Sequence, residues 1–84
     1  MDAVALASLI RLTALVGRET PLVELRASLT FYPRPLVDEA LCQLTMREDV
    51  YLRGEADQRR LTAEDRKSAL VLGGTARHVL LITA

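Results

Sequence analysis

Two side chains that often carry chemistry occur once each in this chain, Cys42 and His78. A lone cysteine allows no intrachain disulfide and no cysteine-based metal site, and a lone histidine allows no histidine pair around a metal. No nucleophile stands with a base and an orienting group in a known pattern. No glycine-rich phosphate loop follows a strand. The residues therefore point to binding without catalysis and imply no cofactor. Cys42 reads either as a redox-sensing thiol or as an inert, half-buried one, with no Lys or His close in sequence to lower its pKa. His78, beside an apolar run, reads as a structural or surface residue.

The remaining candidates are groups that grip. They lie on and just after the stretch 33–49, PRPLVDEALCQLTMRED. Leu36, Val37, Ala40, Leu41 and Leu44 recur at helical spacing and form one apolar stripe, with prolines at the start where a missing N–H costs little. Off that stripe stand Arg34, Asp38, Glu39, Cys42, Gln43, Thr45 and Arg47. Arg53, Arg59 and Arg60 follow in the next segment.

The elements that must position these groups follow from the rest of the chain. At 84 residues it is read as one domain over 1–84, with half its residues hydrophobic and so little reason for disorder. A helix is predicted over 3–16, capped by Asp2, with Leu6, Leu9, Leu12 or Thr13, and Val16 on one side. Ile10 and Leu15 widen the apolar face, so burial on most sides is expected. Gly17 suits a left-handed C-cap. Thr20 and Pro21 read as N-cap and first residue of a short helix over 21–29, and a further helix starts near Pro35. Phe31 and Tyr32 read as plugs for the core or, alternatively, as stacking platforms for a base. Residues 50–53, VYLR, alternate like a strand. Residues 54–58 are turn-like, and 59–62 can return as a partner strand with Leu61 inward. Thr62 with Asp65 makes a weak capping box for a helix over 63–72, which Gly73 and Gly74 would end. Strand is preferred for 75–84.

Helix, short helix, longer helix and then a hairpin is the order of a winged helix. Within it, residues 52–66, LRGEADQRRLTAEDR, resemble the wing of bacterial regulators of the MarR and PadR type. Asp57, Arg59 and Arg60 match the wing tip, and Leu61 with Thr62 match the end of the returning strand. The resemblance implies an α+β winged-helix fold: a three-helix core with a helix-turn-helix, a two- to three-stranded wing sheet and a short fourth helix.

It also implies a transcriptional regulator that binds double-stranded DNA as a dimer. The helix after Pro33 would lie in the major groove, where Gln43 can pair with adenine and Arg34 can reach a guanine or a phosphate. Arg53, Arg59 and Arg60 would meet the flanking backbone or the minor groove. The charge balance qualifies this. Eleven basic residues meet eleven acidic ones, and duplex affinity normally draws on uncompensated positive charge. Five basic and seven acidic side chains precede residue 50, and six and four follow. Asp38, Glu39, Glu55 and Asp57 sit among the candidate contacts. The rival reading is a protein–protein adaptor, with the same face meeting a protein partner. A cytoplasmic setting is expected from the single cysteine, the lack of a basic leader before the N-terminal apolar run, and the absence of a membrane-length apolar stretch.

Overall fold

The computed structural model describes residues 1–14 and 16–83. Leu15 and Ala84, included above in the first apolar face and the last strand, lie outside the described residues. Among those described, the chain runs α1 (Ala3–Thr13), β1 (Glu19–Pro21), α2 (Leu22–Ala27), α3 (Arg34–Leu44) and β2 (Val50–Arg53). It continues through a 3-10 turn (Gln58–Arg60) to α4 (Ala63–Ser68), β3 (Leu70–Leu72), β4 (Thr75–Arg77) and β5 (Val79–Ile82). The fold is α+β, with four helices and a small antiparallel sheet in the order β1-β5-β2. A separate β3–β4 hairpin stands beside it.

The stripe read on the central helix is the one that packs. Val37, Ala40, Leu41 and Leu44 are buried, and α3 lies along α1 through Leu6, Ala7 and Ile10. Leu22 and Leu25 of α2 close one end. Val50, Leu52, Leu80 and Ile82, all on one face of the sheet, close the other side. The Asp2 carboxylate accepts from the Ala5 N–H at 2.8 Å, so α1 is capped as its sequence predicts. Yet α1 stops at Thr13. The Thr13 hydroxyl donates back to the Leu9 and Ile10 carbonyls, and the Gly17 N–H donates to the Ile82 carbonyl at 2.7 Å. The chain leaves the helix early because the next residues must reach the sheet. Burial on most sides of α1 is also not found: Val4 is 62% exposed and Leu12 84% exposed.

Residues 19–21 form an edge strand instead of a cap and a helix start. Glu19 lies opposite Leu81 and Pro21 opposite Val79. Proline is tolerated there because an edge strand need not donate on both sides. The short helix starts one residue later than predicted and ends at Ala27.

The larger correction concerns residues 50–62, which form no hairpin. β2 pairs with β5, with Leu52 opposite Leu80 and Val50 opposite Ile82. Residues 59–62 instead supply the 3-10 turn and the cap of α4. The apolar pattern decides between the two partners. Leu80 and Ile82 bring two fully buried side chains to the face that Val50 and Leu52 need covered, whereas 59–62 offers one apolar side chain, Leu61, after two arginines.

The Thr62–Asp65 capping box is formed, with the Thr62 hydroxyl accepting from the Asp65 N–H at 3.1 Å and the Asp65 carboxylate accepting from the Thr62 N–H at 2.9 Å. The helix it starts ends at Ser68, short of the predicted 72. Gly73 and Gly74 have φ of +58° and +78°. They form the two-residue turn between β3 and β4, a geometry that needs positive φ at both positions, and do not end a helix. The strand predicted over 75–84 is two strands, parted at His78.

Candidate recognition face

The structure distributes the candidate contacts over three groups of ion pairs that share no partner. The first sits at the start of α3. The Arg34 guanidinium donates to the Ala69 carbonyl at 3.1 Å and lies 4.0 Å from the Asp38 carboxylate. Asp38 also accepts from Arg26 of α2 at 2.7 Å, and Arg26 donates on to the Ser68 carbonyl at 2.7 Å. Two arginines thus satisfy carbonyls at and just beyond the C-terminal end of α4, groups that a helix end leaves without partners. One carboxylate holds both arginines in place.

The second group lies on the outer face of the sheet. Arg53 grips Glu19 with two hydrogen bonds of 2.8 and 2.6 Å, a bidentate pair spanning from β2 to β1. The Arg53 hydrogen bond holds Glu19 below the ordinary carboxylate range, and the same contact raises Arg53. The third is the exposed turn before α4. The Arg59 guanidinium donates to the Asp57 carboxylate at 3.1 Å. This bond, the Arg59 backbone N–H and the nearby charge of Arg60 hold Asp57 low.

Glu39, Gln43 and Arg47 are exposed on or just beyond α3, and among the described residues their side chains make no ion pair or hydrogen bond within the chain. Arg60 likewise makes no ion pair among the described residues, although its charge lies near Asp57. Cys42 is half-buried against the core, and the Thr45 hydroxyl donates to its carbonyl at 2.6 Å. The structure therefore brings Arg34 and Asp38 together, and leaves Arg53 and Arg59 in pairs of their own.

Four features come from the fold. Arg26, the hinge of the first group, has its partners 12 and 42 residues away, so nothing local marks it. Phe31 is 95% exposed, contrary to a plug for the core; only Tyr32 packs inward. The backbone between Thr30 and Pro33 turns one aromatic outward and the other in. Leu29 and Val37, with Thr30 and Tyr32 that flank Phe31 in sequence, line a recess of about 110 Å³ rimmed by Arg26 and Arg34. Met46, 80% exposed, follows the other end of α3.

His78 is buried between β4 and β5. Its Nδ1 accepts from the Glu55 N–H at 3.1 Å, which assigns the proton to Nε2 in the neutral ring and makes it a clasp for the segment after β2. Among the described residues, no group of His, Cys, Asp and Glu side chains could hold a metal, and no helix is long and apolar enough to cross a membrane. Comparison with protein-family models, with curated proteins and with solved structures finds no match.

Proposed function

We propose that the chain is a non-enzymatic recognition module of winged-helix type whose α2–α3 face binds a protein partner. The element order supports the winged-helix reading. α1, β1, α2, α3, β2 and β5, with β5 central in the sheet, follow the winged-helix plan, and residues 54–78 stand where a wing would. α2 and α3 form its helix-turn-helix. Folds host many functions, so the partner is argued from the face itself.

The start of α3 carries the argument. In a helix-turn-helix the first residues of the second helix enter the major groove. Here Arg34 at that position is engaged by Ala69 and Asp38, and the end of α4 is tied to the same turn. Arg53 and Arg59 are likewise matched by carboxylates. A protein partner needs no counterion release. It can use the exposed ring of Phe31 and place one side chain in the adjoining recess, an apolar anchor and pocket within a polar rim. Duplex DNA bound by a dimeric transcriptional regulator is the second reading, favoured by Arg47 and Arg60, which make no ion pair among the described residues although Asp49 and Asp57 lie near them.

Titration of a labelled random-sequence duplex pool separates the two. The protein reading expects no saturable binding with about 100 µM protein at low salt, where a DNA-binding domain would already bind nonspecifically. Binding that weakens steeply as salt rises would overturn it. Peptides selected from a random display library should lose binding to Phe31→Ser. Selected peptides indifferent to that substitution would remove the α2–α3 face as the contact.

A further inference from the structure

We propose that the partner of the α2–α3 face is an acidic peptide segment. It seats one branched aliphatic side chain in the recess lined by Leu29, Tyr32 and Val37, and sets a neighbouring Asp or Glu against Arg34. This rests on the protein-binding reading of that face and adds the partner's chemistry to it. Size selects the first group. The recess holds about 110 Å³, and Leu29 and Val37 on its wall are buried core residues. An apolar cavity of about 150 Å³ takes a benzene ring, so this smaller space suits Val, Leu or Ile and excludes an indole or a lipid tail.

Charge selects the second group. Arg26 and Arg34 stand at the rim and share the single carboxylate of Asp38, two positive charges to one negative. Arg26 is nearly buried, and its hydrogen bonds go to Asp38 and to the Ser68 carbonyl. Arg34 is less committed. Its side chain is 52% exposed, its one hydrogen bond goes to the Ala69 carbonyl, and Asp38 lies 4.0 Å from its Nε, beyond hydrogen-bond reach. α3 begins at this residue with no side chain capping its first N–H groups and no acidic residue in its first turn, so the positive end of the helix dipole lies at the same rim. The hydroxyls of Thr30 and Tyr32 also line the recess and make no hydrogen bond among the described residues. Donors and positive charge thus surround an apolar wall. A carboxylate fits that rim and a Lys or Arg side chain does not. A nucleic acid would bring phosphates but leave the apolar wall uncovered.

Peptides selected from a random display library on the full chain, then synthesised and titrated singly, test this. Those that lose binding to Phe31→Ser should carry Val, Leu or Ile next to Asp or Glu. Exchanging the peptide's aliphatic residue for Ala should weaken binding about tenfold or more. Exchanging its acidic residue for the matching amide should weaken binding about two- to fivefold, and Arg34→Gln should do the same. The two changes together should cost no more than either alone, which a merely structural role for Arg34 would not give. Far-UV circular dichroism checks that Arg34→Gln folds. With the unaltered protein, raising salt from about 50 to about 500 mM should erase the acidic peptide's advantage over its amide form. Selected peptides that need Phe31 but lack an acidic residue, or that bind Arg34→Gln as tightly as the unaltered chain, would overturn this inference and leave the α2–α3 reading standing. Peptides indifferent to Phe31→Ser, or a library that yields no saturable binder, would remove both.

Discussion

α1 and α3 meet through Leu6, Ile10, Val37, Ala40 and Leu41, side chains almost sealed from water, whereas α4 buries none of its residues. The segment 54–78 is held by polar latches instead. Arg26 and Arg34 hold the carbonyls of Ser68 and Ala69, Arg66 holds that of Gln58, and Arg77 reaches across to that of Leu52 at 2.8 Å. The His78 ring holds the Glu55 N–H, and among the described residues Leu70 is the segment's one buried apolar side chain, with Leu72 packed partly buried against the core. Both regions are ordered, but for different reasons. Apolar burial is distributed over many contacts and is hard to undo locally. A hydrogen-bonded latch is a few directed contacts, each of which leaves an unsatisfied group when its partner goes. The second region should therefore open before the first.

Truncation inside the helix pair should produce the largest change. Leu41→Ala removes a side chain with no exposure and should lower global stability by about 2–5 kcal/mol, read from denaturant melts. A loss under about 1 kcal/mol would mean that the α1–α3 contact is not the centre of the fold. Arg26→Ala comes next, at about 2 kcal/mol, because it frees the Ser68 carbonyl and half-buried Asp38 together. Amide exchange should show that loss in α4 and β3 before α1; uniform loss would erase the distinction between the regions. Thr62→Ala, which removes one side of the capping box, should cost about 1 kcal/mol and act on α4 alone.

Acid should give the smallest effect, spread over the carboxylates held low: Glu19 by Arg53, Asp49 by Arg11, and Asp57 and Asp65 in the turn and cap before α4. The Thr62 backbone N–H holds Asp65 below the ordinary 3.8, as the Arg59 side chain does for Asp57. A carboxylate with a depressed folded pKa stabilises the fold above its ordinary value, and that contribution is lost as pH falls through the folded one. Below pH 3.8, amides of α4 and the preceding turn should therefore lose protection while those of α3 keep theirs. The carboxylates are exposed, so the effect is modest. Equal loss of protection in α3 would show that the acid response is global.

Much of this contrast was legible in the residues. The 36–44 stripe, the Asp2 cap and the Thr62–Asp65 box are local patterns, and each appears where the sequence places it. The two-residue hairpin at Gly73 and Gly74 was not read, although a glycine pair after the apolar run 70–72 is also a hairpin signal. It reads as a helix stop only if residues 63–72 are taken as one helix. The pairing of β2 was not legible. Residues 59–62 are near and 79–82 are far, and only the burial of Leu80 and Ile82 shows which strand the core requires. Of the candidate contacts, the positions of Glu39 and Gln43 follow from helix spacing. The contacts of Arg34 with Asp38 and of Arg59 with Asp57 are local, but the hold of the Ala69 carbonyl on Arg34 and of Glu19 on Arg53 does not follow from spacing, since those groups arrive from other elements.

The sequence alone determined which segments are helical at their starts, which face of α3 turns inward, and that the chain carries no net charge. These depend on spacing, caps and composition, which act within a few residues. The tertiary structure decided which strand lies in the centre, which arginines remain free to meet a partner, and which side of α1 stays open to solvent. Each of those outcomes is a competition between distant groups for one surface or one charge, and only the folded chain sets the distances that resolve it.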